Sequence, residues 1–174
     1  MLEYFKSEYD IAFSVPSDIN QHIPKLLLYS TMVNHVTEMG VRWGVSTRAF
    51  LYAAAKNKTT LRSYDIILNE TVVDLFAKAK EFNVDATYQQ ADTLNMTIEE
   101  TDLLFIDTLH TYNQLSQELK IHGNKARKYI ILHDTVAFKD LDQAINEFLE
   151  ENPHWKLLKK YYNNNGLTIL ERHI

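Results

Sequence analysis

Residues 35–50 constrain the fold of this chain more than any other part of its sequence. Residues 36–39 favour a β-strand, a loop with Gly40 and Gly44 follows, and a helix signal begins at Ser46. Glycines let a loop turn with positive φ, and the first turn of a helix directs unpaired N–H groups toward that loop. The stretch therefore predicts the first strand–loop–helix unit of a nucleotide-type α/β fold.

The rest of the sequence continues this alternation. Further strands are predicted at residues 61–65, 86–92, 102–107 and 128–134, with a closing hairpin at 155–162 and 166–172. Helices are predicted from Ser17 or Asp18 to Thr31, after the glycine loop, from Asn69, from Tyr112 and before Pro153. Residues 1–15 are weakly patterned and are interpreted as an arm or lid. This order predicts a mostly parallel sheet with helices on both faces.

The composition excludes several classes of protein. The chain has 174 residues, is 45% hydrophobic and carries a net charge of −5, which indicates one domain and argues against a nucleic-acid partner. Without cysteine it can form neither a disulfide nor a thiolate metal site. Because it has no apolar run of about 20 residues and no basic-then-apolar N-terminal signal, we expect a cytoplasmic protein without a membrane partner.

The spacing of the two glycines argues against a dinucleotide site. A G-x-G-x-x-G fingerprint requires glycine where Arg42 stands, two positions after Gly40. The acidic Glu38 at the end of the strand would repel a pyrophosphate and would suit an ammonium or ribose group. A nicotinamide-dependent oxidoreductase is therefore disfavoured.

The pattern Glu38-x-Gly40-x-x-x-Gly44-x-Ser46 resembles the first motif of class I S-adenosylmethionine-dependent methyltransferases. More narrowly, residues 38–50 resemble the methyltransferase-24 type, which is related to cephalosporin-hydroxylase and macrocin O-methyltransferase-like proteins. The resemblance implies a Rossmann-like, seven-stranded, mostly parallel α/β sheet in the order 3-2-1-4-5-7-6. The resemblance covers roughly residues 18–171, and we expect a single domain over residues 1–174, with an N-terminal arm and helix at 1–31 and the core at 32–174.

Polar residues end all five predicted parallel strands, and ligands bind at the carboxyl ends of such strands. We therefore expect one crevice to collect Glu38, Asp65, Asp92, Asp107, His133 and Asp134. The resemblance implies a cofactor site for S-adenosyl-L-methionine built from Glu38, Gly40, Arg42, Gly44, Ser46, Asp65, Asp92 and Asp107. In it Asp65 accepts from the ribose hydroxyls and Asp92 contacts the adenine. Both acids could instead be ordinary loop residues.

Arg42 is expected to pair with the carboxylate of the methionine moiety, because a guanidinium can bind a carboxylate through two hydrogen bonds. The alternative is a solvated loop arginine.

The stretch of residues 105–112 resembles the fourth motif of the same family, Ile-Asp-Gly-x-His-x-Tyr. Asp107 and His110 match and are the predicted catalytic residues, whereas Thr108 and Leu109 depart from the pattern. Histidine titrates near neutral pH, so His110 could remove a proton from an acceptor hydroxyl. The alternative is a structural histidine bonded to a backbone carbonyl.

The fifth strand ends in a stretch that resembles a metal-holding motif of related O-methyltransferases. Asp107 and Asp134 could supply oxygen ligands to Mg²⁺, and His133 is a softer ligand that suits another divalent metal. A metal-free site is the open alternative.

The expected function is transfer of a methyl group to an oxygen, less favourably a nitrogen, of a small-molecule acceptor such as a sugar. Because no insertion is long enough for a cap domain, the acceptor site is expected to come from the N-terminal segment, the loops after strands four and five, or a second subunit of a homo-oligomer. The departures at Thr108 and Leu109 motivate an alternative, a non-catalytic S-adenosylmethionine-binding protein.

Overall fold

The computed structural model describes residues 1–173, and within them seven strands form one sheet. The strands are β1 His35–Met39, β2 Thr60–Asp65, β3 Ala86–Gln90, β4 Thr101–Ile106, β5 Ala126–His133, β6 Trp155–Tyr161 and β7 Leu167–Arg172. Their order is β3-β2-β1-β4-β5-β7-β6. The first five strands pair in parallel and β7 runs antiparallel between β5 and β6, which confirms the predicted sheet.

Six α-helices cover the two faces of the sheet in the described residues. They are α1 Leu2–Ser14, α2 Ile23–Thr31, α3 Val45–Asn57, α4 Glu70–Glu81, α5 Tyr112–His122 and α6 Asp140–Glu151. Helices α1 to α4 share one buried apolar cluster, and α5 and α6 share a second. Strand β4 is buried throughout, and its alternate side chains enter opposite clusters, Leu103 and Phe105 on one face and Leu104 and Ile106 on the other. No helix in residues 1–173 is both long and apolar enough to cross a membrane.

Helix α1 occupies the segment interpreted from the sequence as an arm or lid. Phe5 has no exposed surface, and its ring lies edge-on to that of Phe82 with centroids 6.0 Å apart. Nε of Arg48 on α3 lies 2.9 Å from a carboxylate oxygen of Glu8. The apolar pattern of this helix is weak because few of its side chains are buried, chiefly Phe5 and Ala12.

The helix predicted from Ser17 or Asp18 begins later, at Ile23. The Ser17 hydroxyl accepts hydrogen bonds from the N–H groups of Ile19 and Asn20, which start a single 3₁₀ turn ahead of the helix. Pro24 lies in the first helical turn, where its missing N–H costs nothing. Residues 17–19 therefore lie in the loop ahead of α2 and not in the helix.

Phe5→Ala should lower the free energy of unfolding by about 3 kcal/mol or more, because it empties a fully buried aromatic site. Phe13→Ala on the same helix removes a ring that is 47% exposed and should cost less than about 1 kcal/mol. Urea unfolding of both variants measures the difference. Equal effects would show that α1 is not part of the folded core.

Candidate functional site

The glycine loop between β1 and α3 is shaped by its contact with β4. Gly40 has φ +87°, and its N–H donates to the carbonyl oxygen of Tyr64 at 2.9 Å. A Cβ at this position would lie 2.0 Å from the carbonyl oxygen of Asp107. Any other residue would force β1 and β4 apart, so this glycine is required by the backbone of the neighbouring strand. Gly44 ends the loop at φ +72° as the N-cap of α3.

Glu38 lies beneath this loop and has no exposed surface. Its carboxylate accepts hydrogen bonds from Ser46 and Ser63 at 2.6 Å each, and Thr47 donates to both of its oxygens at 3.0 Å. Burial raises the pKa of Glu38 to about 7. Glu38 therefore ties the first turn of α3 to β1 and β2, and Ser46 is committed to the same network. Their predicted contacts with a cofactor stay predictions.

Asp65, at the end of β2, fixes the conformation of the glycine loop. Its Oδ2 accepts from the N–H groups of Val41 at 2.7 Å and Arg42 at 2.8 Å, and its Oδ1 accepts from Ile67 at 3.0 Å. These bonds hold Arg42 in a left-handed conformation with φ 51°, which is uncommon for a residue with a side chain. An ionised carboxylate has about four acceptor positions, so one remains for a ligand.

The main cavity, of about 500 Å³, opens at the carboxyl ends of β1 to β4. Five of the predicted cofactor residues line it, namely Gly40, Arg42, Asp65, Asp92 and Asp107. The carboxylate of Asp92 accepts from the N–H of Leu94 at 2.9 Å within its own loop. Of the six strand-end residues expected to share one crevice, Asp65, Asp92 and Asp107 line this cavity, whereas Glu38, His133 and Asp134 do not.

A smaller cavity of about 280 Å³ lies between the glycine loop and residues 17–19, and it shares Arg42 and Asp107 with the main cavity. Asp18 is part of its lining, and Oδ2 of Asp18 lies 3.0 Å from Nη1 of Arg42. The sequence interpretation missed Asp18 as a site residue and assigned it only as a helix cap. No local signal identifies it, because the fold alone brings this segment to the sheet edge.

Thr108, which departs from the fourth motif, has a defined partner. Its hydroxyl donates to Oε2 of Glu118 on α5 at 2.7 Å, and Thr93 donates to Oε1 of the same carboxylate at 2.6 Å. Glu118 is fully buried, and Gln114 also donates to it at 2.9 Å. Thr108 therefore connects the lining of the main cavity to α5. Leu109, the second departure, is 66% exposed at the cavity rim.

Two carboxylates and two imidazoles meet at the carboxyl ends of β4 and β5, and we call these four residues the acidic centre: Asp107, His110, His133 and Asp134. Nε2 of His110 lies 2.7 Å from Oδ2 of Asp134 and 3.4 Å from Oδ1 of Asp107. Nδ1 of His133 lies 3.3 Å from the same two oxygens. The structure thus brings together the residues predicted for catalysis and metal binding.

The carboxylates hold both imidazoles in the charged form. Hydrogen bonds to Asp107 and Asp134 raise the pKa of His110 to about 9. Burial lowers the pKa of His133, but the bonds and charges of the same acids outweigh it and raise that pKa to about 10. Nε2 of His133 faces two carbonyl oxygens, of Asp18 at 3.1 Å and Asn164 at 3.2 Å, so it must carry hydrogen. Two negative and two positive charges therefore balance near neutral pH.

Two of the three predicted metal ligands, Asp107 and Asp134, belong to the group of potential ligands that the structure places close together. In residues 1–173 the one set of potential ligand atoms lying within 4.8 Å of one another belongs to Asp107, His110 and Asp134. His133 is not part of this set, and its Nε2 faces the carbonyl oxygens of Asp18 and Asn164. His110, predicted as a base, takes its place in the set.

The fold agrees with solved structures of methyltransferases. The protein resembles S-adenosylhomocysteine-bound methyltransferase PaMTH1 of Podospora anserina, with TM-score 0.66 and 13% identity over 98% of this chain and 88% of that one. It also resembles a candidate caffeoyl-CoA O-methyltransferase from Staphylococcus aureus (TM-score 0.65, 12% identity, 98% and 91% covered). A third is cofactor-bound Rv0187 from MTB (TM-score 0.65, 16% identity, 98% and 88% covered).

These similarities establish the class of the fold. The chain has the Rossmann-like fold of class I S-adenosylmethionine-dependent methyltransferases, as its glycine loop and hairpin predict. No protein-family model matches the sequence, and a search of curated proteins finds no relative. Identities below 20% carry the fold and not the activity, so the narrower methyltransferase-24 resemblance stays a prediction.

The buried carboxylate of Glu38 should make stability depend on pH. Because its pKa rises from 4.5 unfolded to about 7 folded, its contribution is full below pH 4.5 and is lost as the pH rises through about 7. Glu38→Gln removes this titration, so it should gain about 3 kcal/mol on the wild type across that window. Urea unfolding of both proteins at several pH values measures the gain.

The test compares the free energies of unfolding of the two proteins at each pH, because His22 changes stability with pH in the direction opposite to Glu38. Burial lowers the pKa of His22 to about 4, so its contribution to stability grows as the pH rises toward 6.5. Both proteins carry His22, and its effect cancels. A constant gap between wild type and Glu38→Gln from pH 4.5 to 8 would contradict the raised pKa of Glu38.

Proposed function

We propose that the protein binds S-adenosyl-L-methionine and transfers its methyl group to an oxygen of a small hydroxylated acceptor. The observation that carries this proposal is the junction of the two cavities at Arg42 and Asp107, directly beside the acidic centre. A cofactor that spans both cavities would place its central sulfonium near Asp107. The methyl group would then face the residues that can handle a proton.

The residues that line the two cavities suit different ends of this cofactor. The main cavity would take the adenosine, with the free acceptor position of Asp65 at the ribose and Asp92 near the adenine. The smaller cavity would take the methionine end. There Asp18 would pair with the ammonium group and Arg42 with the carboxylate, and both are already placed opposite each other.

Methyl transfer is an in-line displacement at the methyl carbon: the acceptor oxygen bonds to this carbon as its bond to the sulfonium sulfur breaks and S-adenosylhomocysteine leaves. Positioning of the acceptor oxygen therefore supplies most of the rate. The acceptor hydroxyl must also lose its proton as the methyl group arrives. His110 is the proposed base, since its ring is partly exposed at the acidic centre and packs on Phe138 with centroids 4.5 Å apart. At neutral pH His110 carries a proton, which must leave before it can act.

The acceptor side of the acidic centre is apolar. Leu109 is 66% exposed and Phe138 41% exposed beside His110. A free sugar would gain little from these side chains, whereas an acceptor with an apolar surface next to its hydroxyl would bury it there. We therefore favour an apolar hydroxylated acceptor over the sugar expected from the sequence.

The acidic centre does not fit Mg²⁺, which prefers oxygen ligands in octahedral geometry, whereas the set here includes one imidazole nitrogen. Binding of any divalent ion through His110 would also require this imidazole to lose the proton that Asp107 and Asp134 stabilise. We therefore propose the metal-free form of the site.

The alternative function is S-adenosylmethionine binding without turnover. The specific observation in its favour is the raised pKa of His110, which leaves little free base at neutral pH. The two functions share cofactor binding and differ in cofactor consumption when hydroxylated acceptors are supplied.

Calorimetry should detect binding of S-adenosylhomocysteine, and Asp65→Asn should weaken it by about tenfold through the lost charge-assisted hydrogen bond. Asparagine keeps one acceptor oxygen for the loop amides, so the loop is disturbed less than by alanine. Asp85→Asn is the matched control, since Asp85 lies at the opposite end of β3 and pairs with Arg62. Undiminished affinity in Asp65→Asn would remove Asp65 from the site, and tight NAD binding would overturn the proposed cofactor.

If His110 is the base, turnover should rise with pH until about pH 9, because only the neutral imidazole can accept a proton. His110→Gln should lower turnover by about a hundredfold or more and abolish this rise, while the affinity for S-adenosylhomocysteine stays unchanged. Cofactor consumption with a panel of hydroxylated acceptors, measured from pH 6 to pH 10, provides the profile.

His154→Gln is the matched control, because His154 lies at the start of β6 and pairs with Asn124, far from the acidic centre. A chelator should leave wild-type turnover unchanged in the metal-free form. Turnover lost on chelation and restored by Mn²⁺ would instead support the metal site. Full activity of His110→Gln at every pH would reject His110 as the base.

A further inference from the structure

The turn Asn163-Asn164-Asn165-Gly166 does more than connect β6 to β7. It lies at the carboxyl end of β5 and bonds to the loop ahead of α2, more than 140 positions away in sequence. We propose that Asn164 is a positioning residue that holds residues 17–18 over the glycine loop and so sets the affinity for the methionine end of the cofactor. This inference rests on the proposed function.

The side-chain amide of Asn164 forms hydrogen bonds to the N-terminal segment through both its nitrogen and its oxygen. Its Nδ2 donates to the carbonyl oxygen of Ser17 at 2.7 Å, and its Oδ1 accepts from the N–H of Gln21 at 2.9 Å. The two bonds bracket Asp18 from either side along the chain. The side chain of Asn164 is therefore bonded to the segment that carries Asp18, and Asn164 itself lines neither of the two cavities.

The turn of residues 163–166 is fixed by contacts with the segment after β5. It can therefore act as a clamp, by which we mean that Asn164 holds residues 17–18 in place. The carbonyl oxygen of Asn165 accepts from the N–H groups of Val136 and Ala137 at 2.9 and 3.0 Å. Gly166 has φ +95°, and a Cβ there would lie 2.6 Å from the nitrogen of Val136. The turn thus packs against the segment that follows β5. Asn164 has φ 49°, a left-handed conformation that asparagine tolerates better than most residues.

The segment that Asn164 holds contributes to only one of the two cavities. Ser17 and Asp18 line the smaller cavity, where Asp18 faces Arg42 at 3.0 Å, and neither lines the main cavity. Release of this segment would therefore disturb the groups proposed for the methionine ammonium and carboxylate. The surroundings of the adenosine, set by Asp65 and the loops after β3 and β4, would be preserved.

Loss of the clamp should therefore weaken only ligands that carry the amino-acid end, whereas general destabilisation of the protein would weaken every ligand of the site. S-adenosylhomocysteine carries the amino-acid end, whereas 5′-methylthioadenosine has the same adenosine without it. Asn164→Gly removes both side-chain bonds and keeps a backbone that accepts the left-handed conformation. It should weaken S-adenosylhomocysteine by about tenfold and leave 5′-methylthioadenosine within about twofold, both measured by calorimetry.

Asn83→Gly is the matched control, because Asn83 is also left-handed, at φ 55°, but lies exposed between α4 and β3. It should leave both affinities unchanged. Asn164→Asp keeps the acceptor for Gln21 but places a carboxylate oxygen, in place of the donor, against the carbonyl oxygen of Ser17, so it should show the same selective loss. Asn164→Asp carries the test if Asn164→Gly fails to fold.

A double-mutant cycle tests whether Asn164 acts through Asp18. Asp18→Asn should show the same selective loss of S-adenosylhomocysteine affinity. If the clamp works through this residue, Asn164→Gly should add less than about twofold on the Asp18→Asn background. If the affinity losses of Asn164→Gly and Asp18→Asn are fully additive in the double mutant, Asn164 does not act through Asp18.

Two further outcomes are distinguishable. Equal weakening of both ligands by Asn164→Gly would make Asn164 a structural residue only, and an unchanged affinity for S-adenosylhomocysteine would exclude any clamp. Either result overturns the inference and leaves the proposed cofactor standing. A wild-type protein that binds neither ligand would overturn the proposed function itself.

Discussion

The buried carboxylate of Glu38 is the interaction on which the site depends. It receives hydroxyl donors from Ser46 and Thr47 on α3 and from Ser63 on β2, so one side chain joins two strands to the helix after the glycine loop. A buried charge costs free energy unless donors surround it, which explains the hydroxyl-rich start of α3. With strand and helix fixed, the loop between them can adopt only a narrow range of paths.

Asp65 and Gly40 select one of those paths. The carboxylate of Asp65 binds two successive loop amides, and Gly40 lies against the backbone of Asp107 where no side chain fits. The two contacts come from the strands on either side of β1. The loop that borders both cavities is therefore set by its neighbours in the sheet, and a proposed cofactor would meet a largely preformed surface.

The acidic centre shows how charge compensation can substitute for hydration. Asp107 and Asp134 lie close together, and the imidazoles of His110 and His133 donate to them. Burial raises the pKa of both carboxyl groups, but the hydrogen bonds from the two imidazoles outweigh it and hold both pKa values below the usual range. The same pairing ties proton transfer at the proposed site to a high pH, because His110 must give up the proton that the carboxylates stabilise.

The sequence by itself determined the strand–helix alternation, the glycine loop and the polar strand ends, because these depend on local periodicity and on residues a few positions apart. It could not determine the helix at residues 2–14, the alignment of His133 with two carbonyl oxygens, or the role of Asp18. Those depend on contacts between segments distant in the chain. Only tertiary structure brings the Asn164 turn to residues 17–21, since hydrogen bonds of such long range leave no local pattern.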